Sequence, residues 1–368
     1  MRLLLKEEIV DIRKPYLTFS SANTFTLATG NTTANWDGTL EYSTDTTTWT
    51  TWDGTSISSS SDGVLYLRGT GNTYITTRYT HRFVLTGTNI SCEGNIENLL
   101  DYATVQQGNH PVMANYCYFN LFADCTSLAS APTLPATSLA VYGYSQMFMG
   151  CASLVTAPTL PAITLTNYCY QGMFSGCTSL VTAPELPATE LSIQCYAQMF
   201  NDCTSLVNAP ELPATELEAS CYYEMFMGCT SLINAPELPA EIAVRYCYYK
   251  MFNDCTSLTT APELPATELY DCCYNQMFTG CTSLVNAPEL PAGTLVYGCY
   301  NGMFAECSAL ESVTMLATDV SADYAIGNWL YTAGTSATNP TLTVASGMST
   351  DTTILANLPS NWTIQEVS

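Results

Sequence analysis

Fifteen of the seventeen cysteines fall into two columns with a step of 26 residues. One is Cys117, Cys169, Cys195, Cys221, Cys247, Cys273 and Cys299, with Gly143 in the missing place. The other is Cys125, Cys151, Cys177, Cys203, Cys229, Cys255, Cys281 and Cys307. Thiols in such numbers serve disulfides, zinc sites or nucleophilic catalysis. Within a repeat the two cysteines stand eight residues apart. That is about 12 Å along a helix at ~1.5 Å per residue, beyond the ~7 Å between Cα atoms that a disulfide tolerates. A bridge between stacked neighbours stays open on spacing alone. No Cys-x-x-Cys pair occurs, and His81 and His110 are the only histidines, so no zinc ligand set and no cofactor site is expected. The simplest reading is a ladder of reduced thiols packed as small buried hydrophobes.

Carboxylates recur in the same way. Glu185, Glu211, Glu237, Glu263 and Glu289 form one column, and Glu190, Glu216 and Glu268 part of another. Glycosidase chemistry needs one carboxyl kept protonated and a second kept ionised. Here every pair repeats in register and nothing marks one out, so the chain reads as non-enzymatic, with a carbohydrate-active enzyme as the remote alternative. The column itself has two readings: a site for cations or a basic partner, and a solvated edge that discourages lateral association. Positions that vary among otherwise identical repeats are not dictated by packing. They concentrate just before the first cysteine column, where Tyr142, Tyr168, Arg245, Tyr246, Tyr270 and Asp271 form a candidate edge for holding sugar rings or a protein by flat aromatic contacts. Ordinary surface drift is the competing explanation.

One unit positions all of these residues. It reads Cys-Tyr-x-x-Met-Phe-x-x-Cys-Thr-Ser-Leu, two variable residues, then Ala-Pro-Glu-Leu-Pro-Ala. A fixed step without insertions makes each copy one turn of a solenoid that packs only on its neighbours. Cys221, Met225, Phe226, Cys229 and Leu232 fall on one side of a short helix. Leu232, Ala235 and Leu238 have the rhythm of a short strand in a stacked parallel sheet, with Asn234 and Pro236 facing outward. Pro236 and its equivalents lack a backbone donor and keep that strand brief. The polar column Thr156, Thr182, Asn208, Asn234, Thr260 and Asn286 reads as a stabilising side-chain ladder.

The run Met225-Phe226-x-x-Cys229-x-x-Leu232, followed by a proline-marked strand, resembles the BspA-like, treponemal-type leucine-rich repeat family, whose units carry a Phe-x-x-Cys-x-x-Leu core. The wider unit is similar to a subgroup of gut bacteria and their phages, with a longer return loop than the family's usual unit. The resemblance covers residues 117–331. It implies a role at surfaces, in adhesion or host recognition, without naming a ligand.

The expected architecture is α+β: a small N-terminal β-sandwich followed by a right-handed leucine-rich-repeat solenoid with short parallel strands and short helices. Residues 1–14 mix both charge signs with an apolar stripe and read as an arm. Residues 15–95 alternate apolar segments, such as Tyr16-Leu17-Thr18-Phe19, with turns at Asp37-Gly38, Asp53-Gly54 and Asp62-Gly63, which suits a sandwich with Trp36, Trp49 and Trp52 in its core or rim. Residues 96–116 are expected to cap the solenoid, 117–331 to form it, and 332–368 to close it.

The net charge of −23 is unevenly placed: the first 82 residues carry seven basic and eight acidic groups, the remainder two and twenty-four. A polyanionic array repels phosphate backbones and anionic lipid, which argues against nucleic acid and membrane surfaces as partners. No apolar run is long enough to cross a bilayer, and Leu3-Leu4-Leu5, followed at once by Lys6-Glu7-Glu8, is too short for a secretory signal. The resulting expectation is a phage virion component, a tail-fibre or receptor-binding protein. It would attach to other virion proteins through its N-terminal region and bind a host-surface glycan or protein with the solenoid; a homo-oligomer is left open. A bacterial cell-surface adhesin is the alternative.

Overall fold

The computed structural model describes residues 14–31, 35–77 and 81–367; the expected arm, apart from Lys14, lies outside them. Alternation of buried and half-buried residues along the chain builds the N-terminal strands. These are β1 (Leu17–Ser20), β2 (Thr26–Thr29), β3 (Thr39–Ser43), β4 (Thr50–Trp52), β5 (Ile57–Ser58), β6 (Val64–Thr70), β7 (Phe83–Thr86) and β8 (Ile90–Glu93), followed by helix α1 (Asn98–Gln106) and β9 (Leu128–Ser130). One sheet runs β4-β3-β6-β1-β8-β9 and the other β5-β2-β7. Leu17, Phe19, Leu27, Leu65, Leu67 and Phe83 fill the core. Trp52 is buried and stacks on half-buried Trp36 at 5.3 Å, while Trp49 lies under the Arg68 guanidinium at 3.9 Å. Pairing is antiparallel as far as β8, which then pairs in parallel with β9. Sandwich and solenoid therefore share a sheet.

Within the coils the expected helix is replaced by a ribbon of turns, and the hydrogen bonds give the reason. Tyr223, Met225, Met227 and Cys229 donate their N–H groups back three residues at 3.1–3.2 Å. Tyr222, Glu224, Phe226 and Gly228 donate instead to Cys247, Tyr249, Met251 and Asn253 of the next coil at 2.8–3.1 Å. An α-helix would keep all of these donors within the coil; the ribbon commits half to its neighbour. Every fourth residue then takes a left-handed conformation, at Ser220, Glu224 and Gly228 with φ of 56°, 51° and 73°. That conformation costs ~1–2 kcal/mol for a residue with a Cβ, and glycine or aspartate eases it at the corner before the second cysteine. A Cβ on Gly228 would lie 2.3 Å from Asp202 Oδ1, so glycine follows aspartate one coil on, as also at Asp124–Gly150 and Asp254–Gly280.

Two further lines tie coil to coil. Single-residue parallel bridges join Ser130, Thr156, Thr182, Asn208, Asn234, Thr260 and Asn286 in succession. The other line includes Ser138–Thr164, Glu190–Glu216, and β10 (Ile242–Ala243) paired with β11 (Glu268–Leu269). Asn234 is exposed as expected, but Pro236 is buried, as are Pro184, Pro210 and Pro262. With only one residue per coil held in the ladder, strict alternation ends there, and a ring with no N–H to satisfy gains by leaving water. The stack ends in β12 (Asn286–Leu290), β13 (Ser312–Met315), β14 (Thr341–Val344), helix α2 (Thr352–Ala356) and β15 (Thr363–Glu366), whose four strands form one parallel sheet.

Matching side chains pile into columns. The phenylalanines from Phe122 to Phe304 stack at 5.5–5.8 Å with interplanar angles of at most 10°. All seventeen cysteines are free and buried. Those of the second column do more than fill space: from Cys151 to Cys307 each Sγ donates to the carbonyl of the phenylalanine one coil back, at 3.0–3.1 Å. Burial pushes the Cys177 and Cys307 thiols up to about 12, so they stay protonated and unreactive near neutrality. A disulfide-exchange reagent at neutral pH is expected to label at most Cys272, 5% exposed, in the native chain, and all seventeen cysteines in denaturant without reductant. A shortfall in denaturant would mean that stacked thiols had been oxidised to bridges.

Candidate functional site

The first left-handed corner of the ribbon varies from coil to coil. In order it is Tyr116, Tyr142, Tyr168, Gln194, Ser220, Tyr246, Cys272, Gly298 and Tyr324, all with φ between 53° and 63°. Three residues further on, a second variable column runs through Tyr223, Tyr249, Asn275 and Asn301. Where the first column carries consecutive rings the surface is filled: Tyr116, Tyr142 and Tyr168 stack at 4.6 and 4.5 Å. Where that column shrinks, a groove of about 710 Å³ opens. The first column contributes Gln194, Ser220, Tyr246, Cys272, Gly298 and Tyr324 to it, the second all four of its named residues, and Tyr297 joins them.

Gly298 keeps the floor open, since a Cβ there would lie 3.1 Å from Cys272 Sγ and 3.5 Å from Asn275 Nδ2. Asn275 Nδ2 donates to the Gly298 carbonyl at 3.2 Å, which orients the amide. Tyr223 and Tyr249 stack at 4.8 Å, and Tyr246 meets Tyr249 edge-on at 5.8 Å. Tyr297 and Tyr324, 50% and 67% exposed, meet edge-on at 6.0 Å. Burial, and then the neighbouring Glu224, raise the Tyr223 phenol, so it remains a neutral hydroxyl. Flat rings beside amide groups can hold a partner with apolar faces and polar edges.

Of the expected edge, Tyr246 lines this groove and Arg245 lies beside it, its guanidinium 5.0 Å from the Tyr246 ring centre. Tyr142 and Tyr168 belong to the filled stack, and both are half-buried. Tyr270 is exposed outside the groove lining and donates its hydroxyl to Glu268 Oε1 at 3.1 Å; Asp271 is exposed next to Cys272. The sequence reading passes over Tyr223, Tyr249, Asn275, Asn301, Tyr297 and Tyr324. A signal for two of them lies in the doublets Tyr222-Tyr223 and Tyr248-Tyr249, of which only the first tyrosine recurs in all eight repeats.

The acidic column Glu185, Glu211, Glu237, Glu263 and Glu289 is exposed throughout. Beside Glu185, Glu211 and Glu237, prolines of neighbouring coils frame notches of about 380 and 420 Å³. Near the start of the solenoid His110 Nδ1 lies 2.8 and 2.9 Å from the two carboxylate oxygens of buried Glu97, beside Met113 and Leu139. Desolvation raises the Glu97 carboxyl although His110 opposes the shift. Among the described residues no three His, Cys, Asp or Glu side chains come together as a metal site, and no helix is long and apolar enough to cross a membrane.

These features define a leucine-rich-repeat solenoid with a lateral groove. Residues 115–224 and 194–328 match the BspA type Leucine rich repeat region in six copies; the chain belongs to that family. Among solved structures it is similar to a leucine-rich repeat protein from Bacteroides ovatus ATCC 8483, with 17% identity and a TM-score of 0.42 over 70% of this chain and 63% of that one. It thus spans less than two thirds of that protein. A leucine-rich repeat protein of T. pallidum is similar over 53% of this chain and 82% of its own, with 17% identity and a TM-score of 0.33. Comparison with curated proteins gave no match.

Proposed function

We propose that this protein is a non-enzymatic recognition and adhesion protein of an exterior surface, held by its N-terminal region and contacting a host-surface glycan or protein through the solenoid groove. The observation that carries this reading is the groove itself: coils built to one plan depart from it at Cys272, Gly298, Asn275 and Asn301, where packing does not require them to. Catalysis is a poorer fit, because the acidic column repeats one exposed environment and the two Glu97 oxygens face a single imidazole nitrogen. As the setting we propose a virion, in which the chain is a tail-fibre or receptor-binding component. The groove spans coils from Gln194 to Tyr324, away from the N-terminal sandwich, and that separation of attachment from contact suits a projecting rod. It suits a bacterial adhesin as well, so fractionation distinguishes the two: the chain should copurify with virions, and recovery only with cell envelopes would reject the virion setting. Tyr249→Ala should reduce host-cell attachment at least tenfold with the circular dichroism unchanged, while Tyr270→Ala, outside the groove lining, leaves attachment intact. Full attachment by Tyr249→Ala would discard the groove as the contact.

A further inference from the structure

We infer that the groove takes an acidic carbohydrate, an oligosaccharide bearing a carboxylate such as a uronate or sialate residue. The inference rests on the recognition reading above and adds the chemical class of the ligand. Beyond Arg82 the chain has only two basic residues, Arg245 and Lys250, against twenty-four acidic ones. Neither is part of the groove lining, but each lies against a tyrosine that is. The Arg245 guanidinium lies 5.0 Å from the centre of the Tyr246 ring, and the Lys250 ammonium 5.4 Å from that of Tyr249. These contacts hold each cation against an aromatic wall of the groove.

Among the described residues neither cation forms a salt bridge with a carboxylate. The salt bridges among the described residues are Arg68–Glu41, Arg82–Asp124 and His110–Glu97, all near the N-terminal domain. Asp271, which occupies the place of Arg245 in the next coil, is exposed and makes no salt bridge with it. Glu224, one coil before Lys250, is buried and accepts from Gln198 Nε2 at 2.8 Å. Two cations without a salt bridge among the described residues are a local concentration of positive charge on a polyanion. A guanidinium matches a carboxylate in two parallel hydrogen bonds and an ammonium supplies a compact charge.

The rest of the lining selects the body of the ligand. Tyr246 and Tyr249 can meet the apolar face of a pyranose ring, and the amides of Asn275 and Asn301 match hydroxyl groups. A cleft of about 710 Å³ lies within the ~300–1,000 Å³ typical of small-molecule sites. The surrounding negative charge opposes long polyanions, so a short acidic glycan fits better than nucleic acid or an extended polyuronate.

The test is calorimetric titration of the full chain with trigalacturonate, 3′-sialyllactose, lactose and maltotriose. At least one acidic probe should bind ten times more tightly than both neutral ones, and the preferred probe separates a uronate from a sialate source. R245Q/K250Q should remove that preference; Arg245 is exposed, Lys250 is half-buried and neither forms a salt bridge among the described residues, so the fold is retained. Gly298→Asn, a residue that tolerates the left-handed backbone, should fill the floor and weaken all binding at least tenfold. Equal affinity for neutral and acidic probes, or a preference that survives R245Q/K250Q, overturns the inference. If no probe binds while Tyr249→Ala still abolishes host attachment, the ligand is a protein, and this inference fails while the recognition reading stands. Absence of host attachment by the unmodified chain would defeat the recognition reading itself.

Discussion

At about pH 10 the solenoid is expected to unfold, although it is stable near neutrality. In the unfolded chain a thiol titrates near its ordinary value of 9.0, whereas burial raises Cys125, Cys177, Cys195, Cys299 and Cys307 to about 12 and pushes the other column cysteines, such as Cys203, up as well. Below pH 9 both states hold their thiol protons and the full stability is present. As the pH rises from 9 toward 12 the unfolded chain releases protons that the folded chain keeps, and each thiol removes about 1.4 kcal/mol per pH unit. Five such thiols together remove about 7 kcal/mol over one unit, comparable with the ~5–15 kcal/mol that holds an ordinary domain folded. The buried phenols from Tyr118 to Tyr300 are raised by the same desolvation and add to the loss once the pH passes 10. A base titration followed by far-ultraviolet circular dichroism and thiolate absorbance should show both signals changing together. Native dichroism persisting to pH 12 would contradict the buried-thiol account.

The second large effect is expected from Phe226→Ala, at about 3–5 kcal/mol. The ring lies between Phe200 and Phe252 at 5.6 and 5.7 Å and is fully buried. Collapse of the resulting cavity is resisted by the ribbon: Phe226 N–H donates to Met251 at 3.0 Å, and the Cys255 thiol to the Phe226 carbonyl at 3.1 Å, so coil spacing is held while the ring is absent. Because coils couple only to neighbours, a weak middle interface should also divide the array. Urea unfolding monitored at Trp52, in the sandwich, and Trp329, near the far end, should separate into two transitions. One common transition displaced by less than about 1 kcal/mol would show that the column does not carry the load assigned to it.

Much of this core is legible because its chemistry repeats. Phe226, Cys229 and Leu232 are buried as their recurrence requires, since one coil can cover its apolar face only with an equivalent face. The misread segment is instructive. Cys221, Met225 and Cys229 at intervals of four suit a helix and a four-residue turn ribbon alike, and only the glycine or aspartate before the second cysteine, from Asp124 to Gly280, speaks for left-handed corners. Strand alternation would turn Pro236 outward, but it does not hold where a single residue per coil is paired, and Pro236 is buried. Arg245 and Tyr246 are neighbours in the sequence, whereas Asn275 and Asn301 join Tyr246 in the groove lining only when separate coils stack.

The repeat length, the identity of the buried columns and the negative charge of the array follow from the order of residues alone, because each depends on what recurs at a fixed step. The route of half the ribbon's N–H groups into the next coil, the thiol-to-carbonyl bonds, and the groove whose lining gathers five tyrosines, two of them backed by Arg245 and Lys250, were decided by stacking. A donor between two carbonyls, or a gap between two rings, belongs to no single repeat; it exists once two coils lie at their packed distance.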